Sequence, residues 1–557
     1  MVTVGAIARQ GGWKLPVIGA SSLLGTLIML ALPAALGGAV DAIITGGDSG
    51  RWLALVAGLI TLSIGSDLVG IYAGTWAVAD TAAWLRDRLV RHVFAIGPQQ
   101  AGRFGTGDLV SRLSSHTVLA ARAGTSAVSL VASVLPPVGC LVLLAIIDVW
   151  VALAFLAGVG LVSLVLRAFT RRTAQVATGY QRAQGQLAAR LAESLTGART
   201  IAAAGTAGLE RRRVLEPLPE LRTHGSQLWR VLSRTSAQAG VVAPAVLVAV
   251  LAVGGLALLD GRISPGELFA ASRYAVLGAG LGALTGVLGG LAQARAGVGR
   301  MAEVLGVDQL DYGPRHLPEG PGQLVFRGVS VRDGETTLLD GVELTVPGGA
   351  AVAVVGRSGA GKSVLASLAA RLREPDAGQV LLDGVPVSEL RREALRAAVG
   401  CAFERPVLVG ETVGDAIGLG RDGAPVEPAA RATHAHEFIT RLPEGYRTPL
   451  ADAPMSGGEA QRVGLARAWH ADRLLVLDDA TSSVDMVTEM QISRTLTEDH
   501  GRRTRLIVTH RAATAARADL VVWLEGGQVR GVGPHRSLWS DPAYRSLFGA
   551  KPPESGS

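Results

Sequence analysis

Six apolar stretches, each long enough to cross a ~30 Å hydrocarbon core as a helix, occupy the first half of the chain. They run from about Val17 to Val40, Trp52 to Trp76, Ser126 to Ile147, Trp150 to Phe169, Ala237 to Leu259 and Leu268 to Leu291. Trp52 and Trp76 bracket the second, where interfacial rings belong. Pro33, Pro136, Pro137 and Pro244 fall inside spans, tolerable where neighbouring helices satisfy the backbone groups a proline frees. The polar intervals differ in kind. Those after the second and fourth spans are long and helical in composition (Leu85-Arg86-Asp87-Arg88-Leu89-Val90; Leu187-Ala188-Ala189-Arg190-Leu191), so they are predicted to prolong the membrane helices. The rest are short and hold Asp48 and Arg51, Asp148, then Asp260 and Arg262. Arginine collects in the long intervals, at Arg86, Arg88, Arg91, Arg103, Arg112 and Arg122 and again from Arg171 to Arg213. Positive charge stays inside, which puts the long loops and both ends of the chain in the cytoplasm. Asp67 and Arg273 fall within spans. An ionisable group there is costly and is a functional candidate, unless Asp67 lies near the cytoplasmic end and Arg273 reaches an interface.

The pattern changes after Arg300. Residues 306–322 are a polar linker containing proline and glycine. From 323 to 550, short apolar strands alternate with helical segments: Leu324-Val325-Phe326, Val342-Glu343-Leu344-Thr345-Val346, Ala351-Val352-Ala353-Val354-Val355, Leu474-Leu475-Val476-Leu477 and Arg505-Leu506-Ile507-Val508. That alternation predicts an α/β domain with a largely parallel sheet. Residues 551–557 read as a disordered tail. Composition agrees with the division: 49% of residues are hydrophobic and 18% charged, against roughly 25% charged in soluble proteins. The +7 net charge follows the membrane topology rather than forming a nucleic-acid surface. Cys140 lies in an apolar run and Cys401 in the soluble half, so neither a disulfide nor a metal site is expected. No cleavable leader is expected ahead of the first span.

Candidate chemistry begins at Gly356-Arg357-Ser358-Gly359-Ala360-Gly361-Lys362-Ser363, between the strand Ala351–Val355 and a helical segment. The spacing G-x-x-x-x-G-K-S is the P-loop for nucleotide phosphates. Its glycines let backbone N–H groups curl around an anion, and the following helix adds its positive end. Lys362 supplies a point charge for the outer phosphates and the Ser363 hydroxyl a ligand for Mg²⁺. The lysines of the chain are Lys14, Lys362 and Lys551; a sequence that otherwise uses arginine keeps a lysine here. The predicted fold is therefore multi-domain: a six-helix all-α transmembrane domain (1–305) followed by an α/β P-loop domain (323–550).

Leu474-Leu475-Val476-Leu477-Asp478-Asp479 is an apolar strand ending in two acids. Asp478 is placed to hold Mg²⁺ and Asp479 to polarise an attacking water. Between the two motifs, Met455-Ser456-Gly457-Gly458-Glu459-Ala460-Gln461-Arg462 opens a helix with another phosphate-binding N-terminus. Here the chain resembles the ABC transporter ATPase family, whose signature is L-S-G-G-Q followed by an arginine-bearing helix. The resemblance spans essentially the whole chain, six membrane helices and one ATPase domain being the layout of an exporter-type half-transporter. Arg103-Phe104-Gly105-Thr106-Gly107-Asp108-Leu109 through Arg112 resembles a segment of such exporters' first cytoplasmic loop.

The resemblance implies ATP and Mg²⁺ as cofactors. Gly356, Ser358, Gly359, Gly361, Lys362 and Ser363 would hold phosphates, with Ser363 and Asp478 on Mg²⁺. His510 matches the switch histidine at the γ-phosphate, and Ser482-Ser483-Val484-Asp485 matches the D-loop. Asp452 takes about the place of the X-loop acid. In the family two ATPase domains pair head to tail, so Ser456, Gly457, Gly458 and Asp485 would serve a partner's nucleotide.

Departures from the pattern fall mostly on this chain's own site. Asp479 stands where the family usually has a catalytic glutamate, and its carboxylate is drawn back by about one C–C bond, ~1.5 Å. Misplacement of that order can cost ~10²-fold in rate. Glu404 replaces the Q-loop glutamine that contacts Mg²⁺ and the attacking water; it keeps oxygen ligands and loses the amide donor. Arg332-Asp333 stands near the place of the adenine-stacking aromatic, and Val364 follows the P-loop serine. The signature keeps Ser456, Gly457 and Gly458 and changes only its last position, to Glu459. The expectation is one subunit of a heterodimeric exporter in a bacterial plasma membrane, with a weak ATP site of its own. A homodimer carrying the departures twice, in which aspartate and glutamate simply suffice, is the alternative. An importer of chelated metal on the same fold and an ATP-binding regulatory subunit are further alternatives. Membrane lipid surrounds the helices, and no nucleic acid is expected as partner. Spans rich in glycine, alanine, valine and leucine suit an amphipathic or apolar cargo, leaving drug, lipid, peptide and natural product open. No peptidase segment is expected before the first span, so a peptide cargo would not be trimmed by this chain.

Overall fold

The structure is a computed structural model and describes residues 4–278, 282–421, 423–498 and 503–549. The expected tail, 551–557, lies outside them. The chain forms two compact units. One comprises Met1–Val93 with Gly105–Val307; the other joins Phe94–Phe104 to Asp308–Ser557.

The first unit is helical. The predicted spans fall in the helices Lys14–Thr45, Ser49–Ala95, Ala123–Ile147, Val149–Thr196 and Leu218–Leu259, and the sixth in Pro265–Gly278 and Gly282–Leu305. Residues 279–281 of that sixth span lie outside the described residues. By length and composition, Lys14–Thr45, Ser49–Ala95 and Thr106–Ile147 can cross a membrane; Val149–Leu161 and Pro244–Leu259 are shorter apolar stretches of longer helices. Three helices have 47, 48 and 42 residues. At ~1.5 Å per residue each is about 63–72 Å long, twice the hydrocarbon thickness. The arginine-bearing intervals thus continue the helices, as their composition predicted.

Packing within this unit uses small residues and a few committed charges. The helix Lys14–Thr45 meets Pro265–Gly278 so closely that a Cβ on Gly37 would stand 2.5 Å from the Gly266 carbonyl oxygen. Beside that crossing, Asp41 accepts from Ser264 Oγ (2.5 Å) and Gly266 N (2.7 Å), occupying the start of the second helix. Asp148 caps the helix Val149–Thr196, accepting from Trp150 N (2.9 Å) and Val151 N (3.2 Å), and pairs with Arg262. The sparse charge of the short loops is therefore paired. Arg112, 7% exposed, pairs with Asp108 (2.7 Å) and Glu303 (2.8 Å) and donates to the Arg300 carbonyl. Asp67 and Arg273 are both exposed on the single chain.

The second unit holds two sheets. The smaller is antiparallel, in the order β2-β1-β4-β5, from β1 (Leu324–Asp333), β2 (Thr336–Val346), β4 (Ala377–Leu382) and β5 (Val385–Pro386). The larger has the order β10-β9-β3-β8-β7-β6. Its strands are β3 (Ala351–Gly356), β6 (Val399–Phe403), β7 (Leu474–Asp478), β8 (Thr504–Val508), β9 (Leu520–Glu525) and β10 (Gln528–Gly533). All its neighbours pair in parallel except β10, which runs antiparallel to β9 at the edge. Every residue of β3 and β8 is buried. A parallel strand covered on both faces needs a continuous apolar run rather than alternation, which is why Ala351–Val355 reads as unbroken hydrophobic sequence.

Candidate nucleotide site

Ligands of open parallel sheets sit at the carboxyl ends of the strands, and here the register puts the candidate groups of the P-loop side on that edge. Val354 of β3 pairs with Val508 of β8, Val508 with Asp478 of β7, and Asp478 with Phe403 of β6. Continuing each strand outward gives, side by side, the P-loop, Thr509–His510, Asp479 and Glu404. Four motifs scattered over 150-odd positions become one row.

The P-loop glycines are needed by shape. Gly361 has φ +97°, and a Cβ on it would lie 2.6 Å from Leu339 Cδ2 and 2.8 Å from the Leu338 carbonyl oxygen. The helix Lys362–Ala369 starts there. Lys362, 6% exposed, turns its ammonium into the loop and donates to the carbonyls of Gly356 (2.9 Å) and Arg357 (3.0 Å). Burial lowers its pKa, with Asp479 and Asp478 working against that. Ser358, Gly359 and Ser363 are exposed at the loop surface.

Ser363 Oγ donates to Asp478 Oδ1 at 3.0 Å, so the two residues expected on Mg²⁺ adjoin. Burial raises the Asp478 pKa; the Ser363 hydrogen bond opposes this, and the charges of Asp479 and Glu404 add to it. Asp479 is raised too, by burial first, with His510 and Lys362 pulling down and Glu404 pushing up. Its backbone has φ +48°, a left-handed conformation that aspartate tolerates better than most residues. Its Oδ2 stands 3.4 Å from His510 Nε2. A cleft of about 240 Å³ is lined by Glu404, Asp479, Ser482, Thr509, His510 and Arg511. The oxygens of Ser363, Asp478 and Glu404 are a hard anionic donor set that fits Mg²⁺. Among the described residues no three His, Cys, Asp or Glu side chains converge to hold a metal by themselves. Mg²⁺ would therefore take ligands from the nucleotide as well, and would supply charge neutralisation among these carboxylates.

The signature lies elsewhere in the unit. Ser456 caps the helix Gly457–Ala468 in a reciprocal box: Ser456 Oγ accepts from Glu459 N (3.3 Å), and Glu459 Oε2 accepts from Ser456 N (2.8 Å) and Oγ (2.8 Å). Burial would raise Glu459, but the Ser456 donors with Arg462 and Arg441 outweigh it and hold the carboxyl below its usual range. A Cβ on Gly458 would lie 2.8 Å from the Ser483 carbonyl oxygen, so the D-loop can pack here only against glycine. Asp485 accepts from Val487 N (3.1 Å) and Thr488 N (3.0 Å), and the Thr488 hydrogen bonds lower its pKa. Ser456, Gly457, Gly458, Arg462, Ser483 and Asp485 line a second cleft of about 360 Å³.

Sequence reading named every acid and glycine of these two clefts but gave Gln461 no role. It is 2% exposed and bonds the Glu404 carbonyl, Ser482 Oγ and Ser483 N. The signal available was a polar residue at an otherwise buried helical position, beside Val463, Leu465 and Ala466. Arg511, next to His510, was also passed over; it pairs with Glu489 and donates to the Ser482 carbonyl at 3.2 Å. Asp452 lies in a short 3₁₀ turn, Leu450–Asp452. Arg332 N donates to the Asp376 carboxylate (2.6 Å) at the end of β1, which ties that edge down.

Comparison with known proteins agrees over the length of the chain. The ABC transporter transmembrane-region profile matches residues 15–278, and the ABC transporter profile matches 339–482. The chain is 46% identical over 535 residues to the ABC transporter ATP-binding protein RamA of Streptomyces coelicolor, covering 95% of this chain and 84% of that one. It is 32% identical over 501 residues to an ATP-dependent lipid A-core flippase of Chromohalobacter salexigens, covering 86% of each. The solved structure of a bacterial Atm1-family ABC exporter with ATP bound aligns over 97% of this chain and 99% of that one, with TM-score 0.79 and 25% identity. With helical spans fused to a P-loop and signature domain, the chain belongs to the ABC transporter family, as a membrane-embedded exporter-type transport ATPase.

Proposed function

We propose that this chain is one subunit of a heterodimeric exporter that binds ATP at a weakly hydrolytic site of its own. Its signature, Ser456-Gly457-Gly458, completes the competent site of a second half-transporter. Nucleotide binding closes the ATPase pair, the long helices carry that movement into the membrane, and access switches from inside to outside. Hydrolysis at the partner's P-loop resets the cycle.

The observation that carries this reading is the chemistry of Asp479. Its short side chain, set on a left-handed backbone and 3.4 Å from His510, shares the strand edge with Glu404 in place of an amide. The P-loop holds its phosphate-binding lysine and serine, so binding is kept while water activation is weakened. Ser363, Asp478 and Glu404 would take Mg²⁺, and Asp479 and His510 would face the γ-phosphate. The apolar spans, together with a relative named for lipid A-core, support an amphipathic cargo.

The test uses the chain purified alone and the assembly it forms in its native membrane. The isolated chain is expected to bind ATP and turn it over slowly, and Asp479→Asn to leave the assembly's rate within about twofold. Rapid hydrolysis by the isolated chain that Asp479→Asn abolishes would refute the weak-site reading.

A further inference from the structure

The two clefts share neighbours in sequence. Ser482 lines the first and Ser483 the second, and one buried side chain holds both. Gln461 Nε2 donates to Ser482 Oγ (2.9 Å) and to the Glu404 carbonyl (2.6 Å), while its Oε1 accepts from Ser483 N (2.8 Å). Both amide hydrogens and the carbonyl are thus engaged, in a site almost closed to water. Around this point the rest of the machinery converges. Ser482 N donates to the Asp479 carbonyl (3.1 Å), and the Ser482 carbonyl accepts from Arg511, next to His510. The Ser483 carbonyl lies against Gly458, where no Cβ would fit. Gln461 itself sits on the second turn of the signature helix Gly457–Ala468.

We propose that Gln461 is a positioning residue that couples the two clefts within one chain. It transmits the state of this chain's own nucleotide pocket to the signature surface offered to the partner. The physical case is geometric. Any shift of Glu404 or of the Asp479–Ser482 turn when nucleotide enters must either drag Gln461, and with it the signature helix, or break a buried hydrogen bond. Leaving such a group unpaired is costly, so the cheaper response is a concerted movement. This gives a weakly hydrolytic site a use: its occupancy would set the alignment of Ser456–Gly458 over the other nucleotide. The inference rests on the reading that the signature serves a partner's site, but not on which of the two sites hydrolyses.

A double-mutant cycle on the assembled transporter tests it. Occupancy of this chain is read by photolabelling with 8-azido-ATP and separating the subunits; turnover is read as the assembly's ATPase rate. Gln461→Leu is expected to leave labelling of this chain within about twofold and to lower turnover by about 10- to 100-fold, the scale of a misplaced catalytic surface. Lys362→Ala, which empties this chain's pocket, should lower turnover in the wild-type background. In the Gln461→Leu background it should change turnover by less than about twofold, because contacting residues of one network are not additive. Full multiplication of the two effects overturns the proposal. Gln461→Glu keeps the shape and removes both donors, so it guards against misfolding; wild-type turnover in that variant also overturns the proposal. A homodimer would show instead as a single labelled species whose turnover Asp479→Asn abolishes; Lys362→Ala would then empty both sites, and the test rests on Gln461→Leu and Gln461→Glu, each of which must lower turnover with labelling preserved.

Discussion

The two clefts of the ATPase domain are built from the same device, a glycine-rich turn opening a helix, yet they treat negative charge in opposite ways. In the P-loop cleft, Asp478 and Asp479 are crowded with Glu404 and held above the ordinary carboxylate range, burial being the first cause. In the signature cleft, Glu459 and Asp485 spend their charge on backbone and side-chain donors and lie below that range. Crowded carboxylates are relieved by an arriving cation, so the first cleft suits the gain of Mg²⁺ along with nucleotide that the proposed function requires. Committed carboxylates hold a surface rigid, so the second is finished before any ligand comes. On the proposed function, one cleft binds nucleotide and the other is a shaped face to be pressed against the partner's phosphate.

The largest effects should come from removing what each cleft cannot replace. Lys362→Ala takes away the cation that turns into the P-loop and should weaken ATP labelling of this chain by about 100-fold or more, while leaving the signature cleft's shape intact. Gly458→Val should do the reverse. Its side chain meets the Ser483 carbonyl, where even a Cβ would be at 2.8 Å, so assembly turnover should fall by about 100-fold with labelling of this chain preserved. If either variant lowers both readouts equally, the clefts are not separable and the comparison fails.

A smaller effect, and of opposite sign, is expected at Asp479. Restoring the longer acid with Asp479→Glu should raise hydrolysis at this chain's own site by about 10-fold, less than the ~10²-fold that an ångström-scale misplacement can cost. The shortfall has a cause: glutamate suits the left-handed backbone at this position (φ +48°) less well than aspartate. No gain at all would mean that Glu404, not side-chain length, limits the site.

What the sequence made legible, and what it hid, divides along contact distance. The spans and the strand at Ala351–Val355 were readable because hydrophobic pattern is local. The P-loop, Asp478–Asp479, Ser456–Gly458 and His510 were readable because each motif is a few residues long and carries its own chemistry. The convergence of the P-loop, Asp478–Asp479 and His510 on one sheet edge follows from parallel pairing, which the alternation of strands and helices already implied. Gln461 was hidden because its partner Glu404 is 57 positions away. The Arg112 tie to Arg300 spans 188 positions, and Asp41 reaches Gly266 across 225; a sequence carries no mark of such pairs. Phe94–Phe104, read as part of the membrane half, groups instead with the ATPase unit, where the Ala95 carbonyl accepts from Leu310 N at 2.9 Å. Composition could not have told that, since the segment is helical either way.

The difference in charge treatment also predicts opposite pH signatures in melting experiments without Mg²⁺. Asp479 has a folded pKa raised above its unfolded value. Its favourable contribution is complete below about pH 4 and is lost as pH rises through the raised value. Asp479→Asn should therefore raise the melting temperature at pH 7, with the difference shrinking toward pH 4. Glu459 has a lowered folded pKa, so its contribution is present above about pH 4 and is lost as pH falls through the lowered value. Glu459→Ala should lower the melting temperature at pH 7 by removing the carboxylate's half of the reciprocal Ser456 box, and the penalty should fade in acid. Parallel pH trends in the two variants would remove the electrostatic basis of the comparison.

The smallest expected effect is the most discriminating for the signature. Glu459→Gln keeps the reciprocal cap, because glutamine can accept from Ser456 N as glutamate does, and it removes one negative charge from the helix start that the proposed function sets against the partner's phosphate. Charge at such an N-terminus is worth about 0.3–1 kcal/mol at an exposed site, or roughly a two- to fivefold change in affinity. The substitution should therefore lower the ATP concentration giving half-maximal turnover of the assembly by about that factor, with little change in the maximal rate and a gain that shrinks as salt is added. That result would mark Glu459 as a brake on an otherwise complete surface. A fall in maximal rate instead would mean that the carboxylate's hold on Ser456, not its charge, is what this position contributes.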